Sequence, residues 1–317
     1  MGEDFGLEVH ETGENDAETT DLRNLLGDVG IHFDQLSTRL QERLRQIKRE
    51  QHTLTDDLRC AHMARQVAEN LRERGAHDRL TETDWKNIEM ASVLTDLGKT
   101  GPENATAAQS ALISHMYAID KALLNDKGRR EPASWSVERF VKECMSERDF
   151  SETKAILETL GVRMDMNMRE FYNMHAQWTN DLIKNESTIP AEVRTMAALH
   201  HILENVNPDT LVDLSTDDLM IPSLRRPIGE QEIWVLLFDK YEAQTNPHRG
   251  KQSHDKGVKW LRDFVNEWPM ALAPYPTELK QLINDCIDQL DKTFRTPQET
   301  STSTASLPQQ EEAIAAK

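Results

Sequence analysis

Six residues of the types that bind divalent metal ions are spread over much of the chain. They are His62, Asp96, His175, His200, His201 and Asp239. Imidazoles and carboxylates suit transition-metal ions, and two such ions can bind phosphoryl oxygens and activate a water molecule for hydrolysis. Lys99 follows Asp96 by three residues and could neutralise charge that develops on a phosphate. The residue types therefore indicate metal-dependent hydrolysis of a phosphate ester.

Taken one at a time, these residues indicate little. A single histidine in a helical segment is more often a surface or core residue than a metal ligand. His200 and His201 are neighbours, so on a helix their side chains would point about 100° apart. Asp96 and Lys99 alone could form an ion pair at a helix end, where lysine is favourable. The prediction of a site depends on the ordered set, whose members must be brought together by several helices.

Composition predicts an all-α fold. The chain has 317 residues, of which 38% are hydrophobic, and this is enough for a sizeable core. Long stretches rich in Glu, Lys, Arg, Leu and Ala favour helices, and alternating apolar runs typical of strands are few. Periodicity and capping residues predict helices at 22–50, 55–75, 82–98, 167–185, 190–204, 228–244, 253–267 and 275–294, with further helical segments between 102 and 167.

Both ends of the chain have the composition of disordered segments. Residues 1–21 contain eight acidic and no basic residues, and 296–317 are rich in Ser, Thr, Gln and Glu. Between the arm and the central domain, apolar residues recur at spacings of three and four and predict a continuous amphipathic helix in the extension 22–54. This stripe could form a dimeric coiled coil, or bind another protein, or lie on its own domain.

The net charge of -18 disfavours binding to DNA, RNA or an anionic membrane. No apolar run approaches the length of roughly 20 residues that a membrane span requires, and the acidic N-terminus does not resemble a signal peptide. Cys60, Cys144 and Cys286 are widely separated and odd in number, which argues against a disulfide framework. We therefore expect a cytoplasmic protein.

Five segments, in order along 55–267, carry a resemblance to a known family. They are Ala61-His62-Met63-Ala64-Arg65-Gln66-Val67, then Met90 to Pro102 with Thr95-Asp96-Leu97-Gly98-Lys99 inside it, Phe171 to Ile183 with His175, Ile189 to His201, and Phe238-Asp239-Lys240-Tyr241-Glu242-Ala243. Together they resemble the HD-GYP domain, the cyclic-di-GMP phosphodiesterase branch of the HD superfamily. The resemblance implies an HD-type helical bundle over 55–295.

The chain also departs from the family pattern. Thr95 stands where the family has a histidine, and Ile202 stands where it has a glutamate after the two histidines. The Gly-Tyr-Pro sequence that follows in the family is absent. A longer connection between Asp96 and His175 predicts a helical insertion at about 104–166.

The resemblance also implies roles for single residues. Asp96 would bridge two ions, one of them also bound by His62 and Asp239 and the other by His175 and His200. His201 would bind a further ion or the substrate. Lys99 would contact the scissile phosphate, and Arg65 would bind the substrate. The metal would be a divalent transition metal, iron or manganese, with one or two ions bound.

Two functions remain open from the sequence. The first is a metal-dependent phosphodiesterase acting on a cyclic dinucleotide, with altered or weakened activity. The second is a catalytically inactive relative that senses a cyclic dinucleotide, or that serves as a scaffold for partner proteins through the N-terminal extension and the insertion. The substitutions at Thr95 and Ile202 favour loss or change of activity, whereas the retained ligand set favours a useful metal site.

Overall fold

The computed structural model describes residues 11–50, 53–75, 79–127, 132–145, 148–216, 218–246, 253–267 and 277–295. Within them the chain is built almost wholly from helices, with one short hairpin, and the predicted all-α class is confirmed. None of the described helices has both the length and the apolar character needed to cross a bilayer. Residues 1–10 of the predicted arm and the predicted tail 296–317 lie outside the described residues.

The helices are α1 (Glu11–Gly27), α2 (Thr38–Glu50), α3 (Thr53–Glu73), α4 (Glu82–Leu94), α5 (Ala107–Lys127), α6 (Val137–Cys144), α7 (Phe150–Thr159), α8 (Met168–Ile183), α9 (Ala191–Leu199), α10 (Glu230–Thr245), α11 (His254–Glu267) and α12 (Thr277–Phe294). Strand β1 (Met220–Ile221) pairs antiparallel with β2 (Arg226–Pro227). Short 3₁₀ turns follow α4 at Leu97–Thr100 and α9 at Ile202–Glu204.

The N-terminal segment differs from the prediction in two ways. Helix α1 begins at Glu11, inside the stretch expected to be disordered. The predicted continuous helix is interrupted after Gly27, and Gly30 has a φ of +86°, a left-handed conformation that glycine adopts without strain. Most of the apolar stripe, from Leu22 to Ile47, is buried in the main hydrophobic core of the same chain. The stripe thus packs on its own domain.

Helix α8 lies between two hydrophobic cores. Its C-terminal residues Leu182 and Ile183 belong to the main core, which also contains α1 to α4 and α9 to α12. Its earlier residues Phe171 and Trp178 belong to a second core formed with α5, α6 and α7, the segment predicted as an insertion. His175 lies between Phe171 and Trp178, so the packing of α8 on the second core holds its position in the fold.

Two predicted helices end earlier than expected, and both ends matter for the site. Helix α4 follows the N-cap Thr81, whose hydroxyl accepts a hydrogen bond from the Asp84 backbone, but it ends at Leu94 and not at the predicted Gly98. Helix α9 ends at Leu199, before the predicted end at 204. Asp96 and His201 therefore lie in the turns that follow these helices.

Candidate metal centre

Three histidines form a buried cluster at the junction of α8 and α9. One ring nitrogen from each of His175, His200 and His201 lies within 4.8 Å of those of the other two. His175 comes from the middle of α8, whereas His200 and His201 follow the last residue of α9. Because α9 ends here, the backbone turns between the two neighbours, and both rings face His175 with centroids 4.9 and 4.8 Å away. Because of this turn, the side chains of His200 and His201 do not point in the different directions expected of neighbours within a helix.

Hydrogen bonds to the backbone fix how two of the rings are oriented. Nδ1 of His200 donates to the carbonyl of Ala197 over 2.7 Å, and Nδ1 of His175 donates to the carbonyl of Tyr172. A carbonyl oxygen only accepts, so both Nδ1 atoms carry hydrogen. The two Nε2 atoms therefore face each other, 2.8 Å apart.

Two nitrogen lone pairs at this distance repel unless a positive charge lies between them. That charge can be a proton on Nε2 of His175 or a metal ion bound by both nitrogens. Metal–nitrogen bonds of about 2.0–2.1 Å would let both nitrogens bind one ion, and His175 and His200 are the residues that would hold it. Backbone hydrogen bonds to the remote ring nitrogen are also the usual means of orienting metal-binding histidines.

Asp96 supplies a carboxylate to the same point. Its Oδ1 lies 3.2 Å from Nε2 of His175, and its Oδ2 accepts a hydrogen bond from Lys99. Burial by itself raises the pKa of Asp96, but the Lys99 ammonium and the hydrogen bond from His175 together hold it well below its usual range. Asp96 is therefore an anion in a buried position, as a metal ligand must be.

A glycine allows this turn to pack on α8. A Cβ at Gly98 would overlap the His175 carbonyl and would lie 2.6 Å from the Thr179 nitrogen. In addition, the Gly98 amide donates to the Thr179 hydroxyl over 2.9 Å, and that hydroxyl donates to the Thr95 carbonyl over 2.8 Å. These contacts hold the Asp96 turn against the helix that carries His175.

His201 is oriented by a second set of charged groups. Its Nδ1 lies 2.7 Å from Oε2 of Glu204 and 3.2 Å from the Lys240 ammonium. The shorter contact is the one in which Nδ1–H donates to the carboxylate, and this leaves Nε2 of His201 available as a ligand. The Lys240 ammonium also contacts Glu204 Oε1 at 2.8 Å and Asp239 Oδ2 at 3.1 Å.

Burial keeps two of the imidazoles in the form that binds metal. It lowers the pKa of His200 well below the usual value, and the neighbouring His201 and His175 add to this effect. Burial, followed by the Lys240 charge, also lowers the pKa of His201. At neutral pH both rings are therefore neutral, which is the state required of a ligand.

Asp57 of α3 is a site residue that sequence reasoning missed. It is buried, and its Oδ2 has no hydrogen-bond partner among the described residues. Burial raises the pKa of Asp57 well above its usual range, and the nearby charge of Asp96 raises it further. The buried face of α3 carries the signal for Asp57, since its buried residues recur at helical spacing: Asp57, Cys60, Ala61, Ala64, Val67, Ala68 and Leu71.

The other predicted site residues lie apart from the cluster or have other contacts. His62 follows the buried Ala61 and is exposed, so the structure does not bring it to the histidines. Arg65 is bound to Glu89 at 2.6 Å and to the Asp28 carbonyl at 3.1 Å. Thr95 is buried, and its hydroxyl donates to the Ser92 carbonyl. Ile202 is buried in the main core.

Asp239 of α10 contacts the cluster through Lys240. Desolvation raises the pKa of Asp239, but the charge of Lys240 and the nearby His200 lower it more, to about 2. Its side chain is 25% exposed, against 6% for Asp96. The charged groups therefore reach solvent on the Asp239 side of the cluster.

The cluster fits a transition-metal ion on the chemistry of its donor set. Two imidazole nitrogens and one carboxylate oxygen converge, and a third imidazole lies beside them. The outer nitrogens of the three imidazoles donate hydrogen bonds, and the outer oxygen of Asp96 accepts one from Lys99. Imidazole ligands suit Zn, Cu, Fe or Ni, and the carboxylate adds an oxygen ligand of the kind that Mn accepts.

No protein-family profile matches this chain, and searches of curated proteins and of solved structures likewise found no match.

Proposed function

We propose that this chain is a divalent-metal phosphohydrolase of the HD type that acts on phosphodiesters, with cyclic dinucleotides such as cyclic-di-GMP as the substrate class. The observation that carries the proposal is the convergence of Nε2 of His175 and Nε2 of His200, 2.8 Å apart, beside the Asp96 carboxylate. The resemblance to the HD-GYP domain described above also supports the proposal, because the candidate ligands follow the order of that family and Lys99 lies one turn after Asp96.

Four residues would hold the ion: His175, His200 and Asp96 directly, and His201 through its free Nε2. A divalent ion there would act as a Lewis acid toward a phosphoryl oxygen. Iron and manganese are the ions we propose, since both accept mixed nitrogen and oxygen ligands. His62 is not included in this ligand set, because it is exposed.

The chain's own residues would bind and orient the substrate. Lys99 is the cation next to Asp96, and its side chain is 15% exposed, so its ammonium can turn toward a phosphate that enters from solvent. There it would stabilise the negative charge that develops during hydrolysis. In a protein of net charge -18, such local cations must offset the overall repulsion of a phosphate.

The second candidate is an inactive relative that binds a cyclic dinucleotide or a partner protein. Thr95 favours it, because a threonine hydroxyl bound to the Ser92 carbonyl replaces an imidazole that the family uses as a ligand. Loss of that ligand would weaken one ion of a two-ion site. The histidine cluster is unaffected by this substitution, which is why we rank hydrolysis first.

The test is the metal content of the purified protein, prepared anaerobically and followed by assays with cyclic dinucleotides. We expect close to one iron or manganese ion per chain, and we expect His200→Ala to lose it. His62→Ala is the matched control and should retain the ion, because His62 is exposed. A folded wild-type protein that holds no metal, and takes up none on incubation, would contradict the proposal. Metal without hydrolysis would favour the inactive relative.

A further inference from the structure

The buried lysine beside the histidines is unusual in its contacts. Lys240 is on α10, and its side chain is only 8% exposed. Its ammonium lies 2.8 Å from Glu204 Oε1, 3.1 Å from Asp239 Oδ2 and 3.2 Å from His201 Nδ1. Two carboxylate oxygens that converge on one point beside the His201 ring form an environment that a metal ion could also occupy.

The formal charges of the contacting groups can be counted directly. Asp96, Asp239 and Glu204 contribute three negative charges, and Lys99 and Lys240 contribute two positive charges. The sum is -1. One divalent ion changes it to +1, and two ions change it to +3. A single ion thus leaves a site whose charge matches the single negative charge of a phosphodiester.

We propose that the Lys240 ammonium takes the place of a second metal ion, so that this site binds one divalent ion. That ion would lie between His175, His200 and Asp96, while Lys240 neutralises Asp239 and Glu204. A buried ammonium repels a divalent cation and already uses the carboxylate oxygens that a second ion would need. Asp239 is then a partner of Lys240 and not a ligand. This inference rests on the metal site proposed above.

The test counts ions per chain after manganese loading and dialysis, by elemental analysis and by native mass spectrometry. We expect one ion in the wild-type protein and two in Lys240→Met, where Asp239 and Glu204 lose their counter-ion. Lys184→Met is the matched control, because Lys184 also binds two carboxylates, Asp181 and Asp209, but away from the histidines. It should keep one ion.

A second variant tests the inference with the lysine in place. Asp239→Asn should keep one ion, since Asp239 is not a ligand in this arrangement. Two ions in the wild-type protein, one ion in folded Lys240→Met, or loss of the ion in Asp239→Asn would each overturn the inference while leaving metal binding intact. A wild-type protein without any ion would instead refute the proposed metal site, and with it this inference.

Discussion

Hydrogen bonds to Nδ1 fix the orientation of the two central histidine rings, His175 and His200. Both Nδ1 atoms are occupied by backbone carbonyls, and both Nε2 atoms are turned toward each other. A purely structural pair of buried histidines needs one proton between the rings. A metal ion can replace that proton and bind both nitrogens. Uptake of the ion is therefore coupled to release of a proton.

Burial of neutral histidines predicts a loss of stability in mild acid. In the unfolded chain His200 and His201 have pKa values near 6.5, and both values are lower in the folded protein. Below about pH 6.5 the unfolded state binds more protons, so the free energy of unfolding falls as the pH falls, by up to about 1.4 kcal/mol per pH unit for each histidine. We expect this slope in urea unfolding of the metal-free protein between pH 6.5 and 5.

The window excludes the carboxylates of the site whose pKa values are lowered. The pKa values of Asp239 and Glu204 are lowered in the folded protein, so the stability they contribute is complete above pH 5 and is lost only at lower pH. Asp57, whose pKa is raised in the folded protein, contributes stability that falls as the pH rises, a slope of opposite sign that is common to the wild-type protein and the variants. His200→Gln should flatten the slope, whereas His62→Gln, at an exposed position, should not change it. A slope that is the same in all three proteins would contradict this assignment.

At the residue scale, the sequence identified most residue types of the site but not the directions in which all their side chains point. His175, His200, His201 and Asp96 were predicted as site residues, and the structure brings them together. His62 and Asp57 are both on α3, five residues apart, yet only Asp57 lies on the buried face. The helical spacing of Cys60, Ala61 and Ala64 contained this information, because His62 lies about 200° around the helix from both Cys60 and Ala64 and therefore points away from their face.

At the scale of elements, the turn between α4 and the 3₁₀ segment Leu97–Thr100 determines where Asp96 lies. The sequence predicted that the helix would end at Gly98, since glycine commonly follows a helix end. In the structure Gly98 has another role, because its lack of a side chain lets the turn touch the backbone of α8. Such a contact joins segments 81 residues apart, so local sequence signals could not reveal it.

Gly98→Ala should therefore damage the site through the backbone. The added Cβ would collide with the His175 carbonyl and the Thr179 amide, and these atoms cannot move without shifting α8. We expect a loss of about 1–3 kcal/mol in the free energy of unfolding and weaker metal binding. Chemical denaturation and metal titration would measure both effects.

Gly27→Ala is the matched control for this substitution. A Cβ at Gly27 would meet nothing within 4 Å. It should leave both stability and metal affinity close to those of the wild-type protein. If Gly98→Ala were equally neutral, the close packing of the Asp96 turn on α8 would have to be rejected.

At the scale of the whole molecule, the segment 104–166 supports the site from its outer side. Tyr117 of α5 donates to the carbonyls of Phe171 and Tyr172, at 3.1 and 3.2 Å. The Tyr172 carbonyl is also the acceptor for Nδ1 of His175. The second core thus does more than extend the fold, because it contacts the residue that orients a candidate ligand. Nothing in the sequence of this segment marked Tyr117 for that role.

A substitution in the apolar stripe from Leu22 to Ile47 can test whether this stripe packs within the chain or forms a dimer interface. Leu44 on α2 is fully buried in the main core. Because the contacts are within the chain, Leu44→Ala should lower the free energy of unfolding by about 2–5 kcal/mol without changing the oligomeric state. Denaturant unfolding and light scattering after gel filtration measure the two quantities. Leu214→Ala, at a leucine that is 45% exposed, should change neither. A Leu44→Ala protein that keeps its stability but shifts from dimer to monomer would place the stripe at a subunit interface instead.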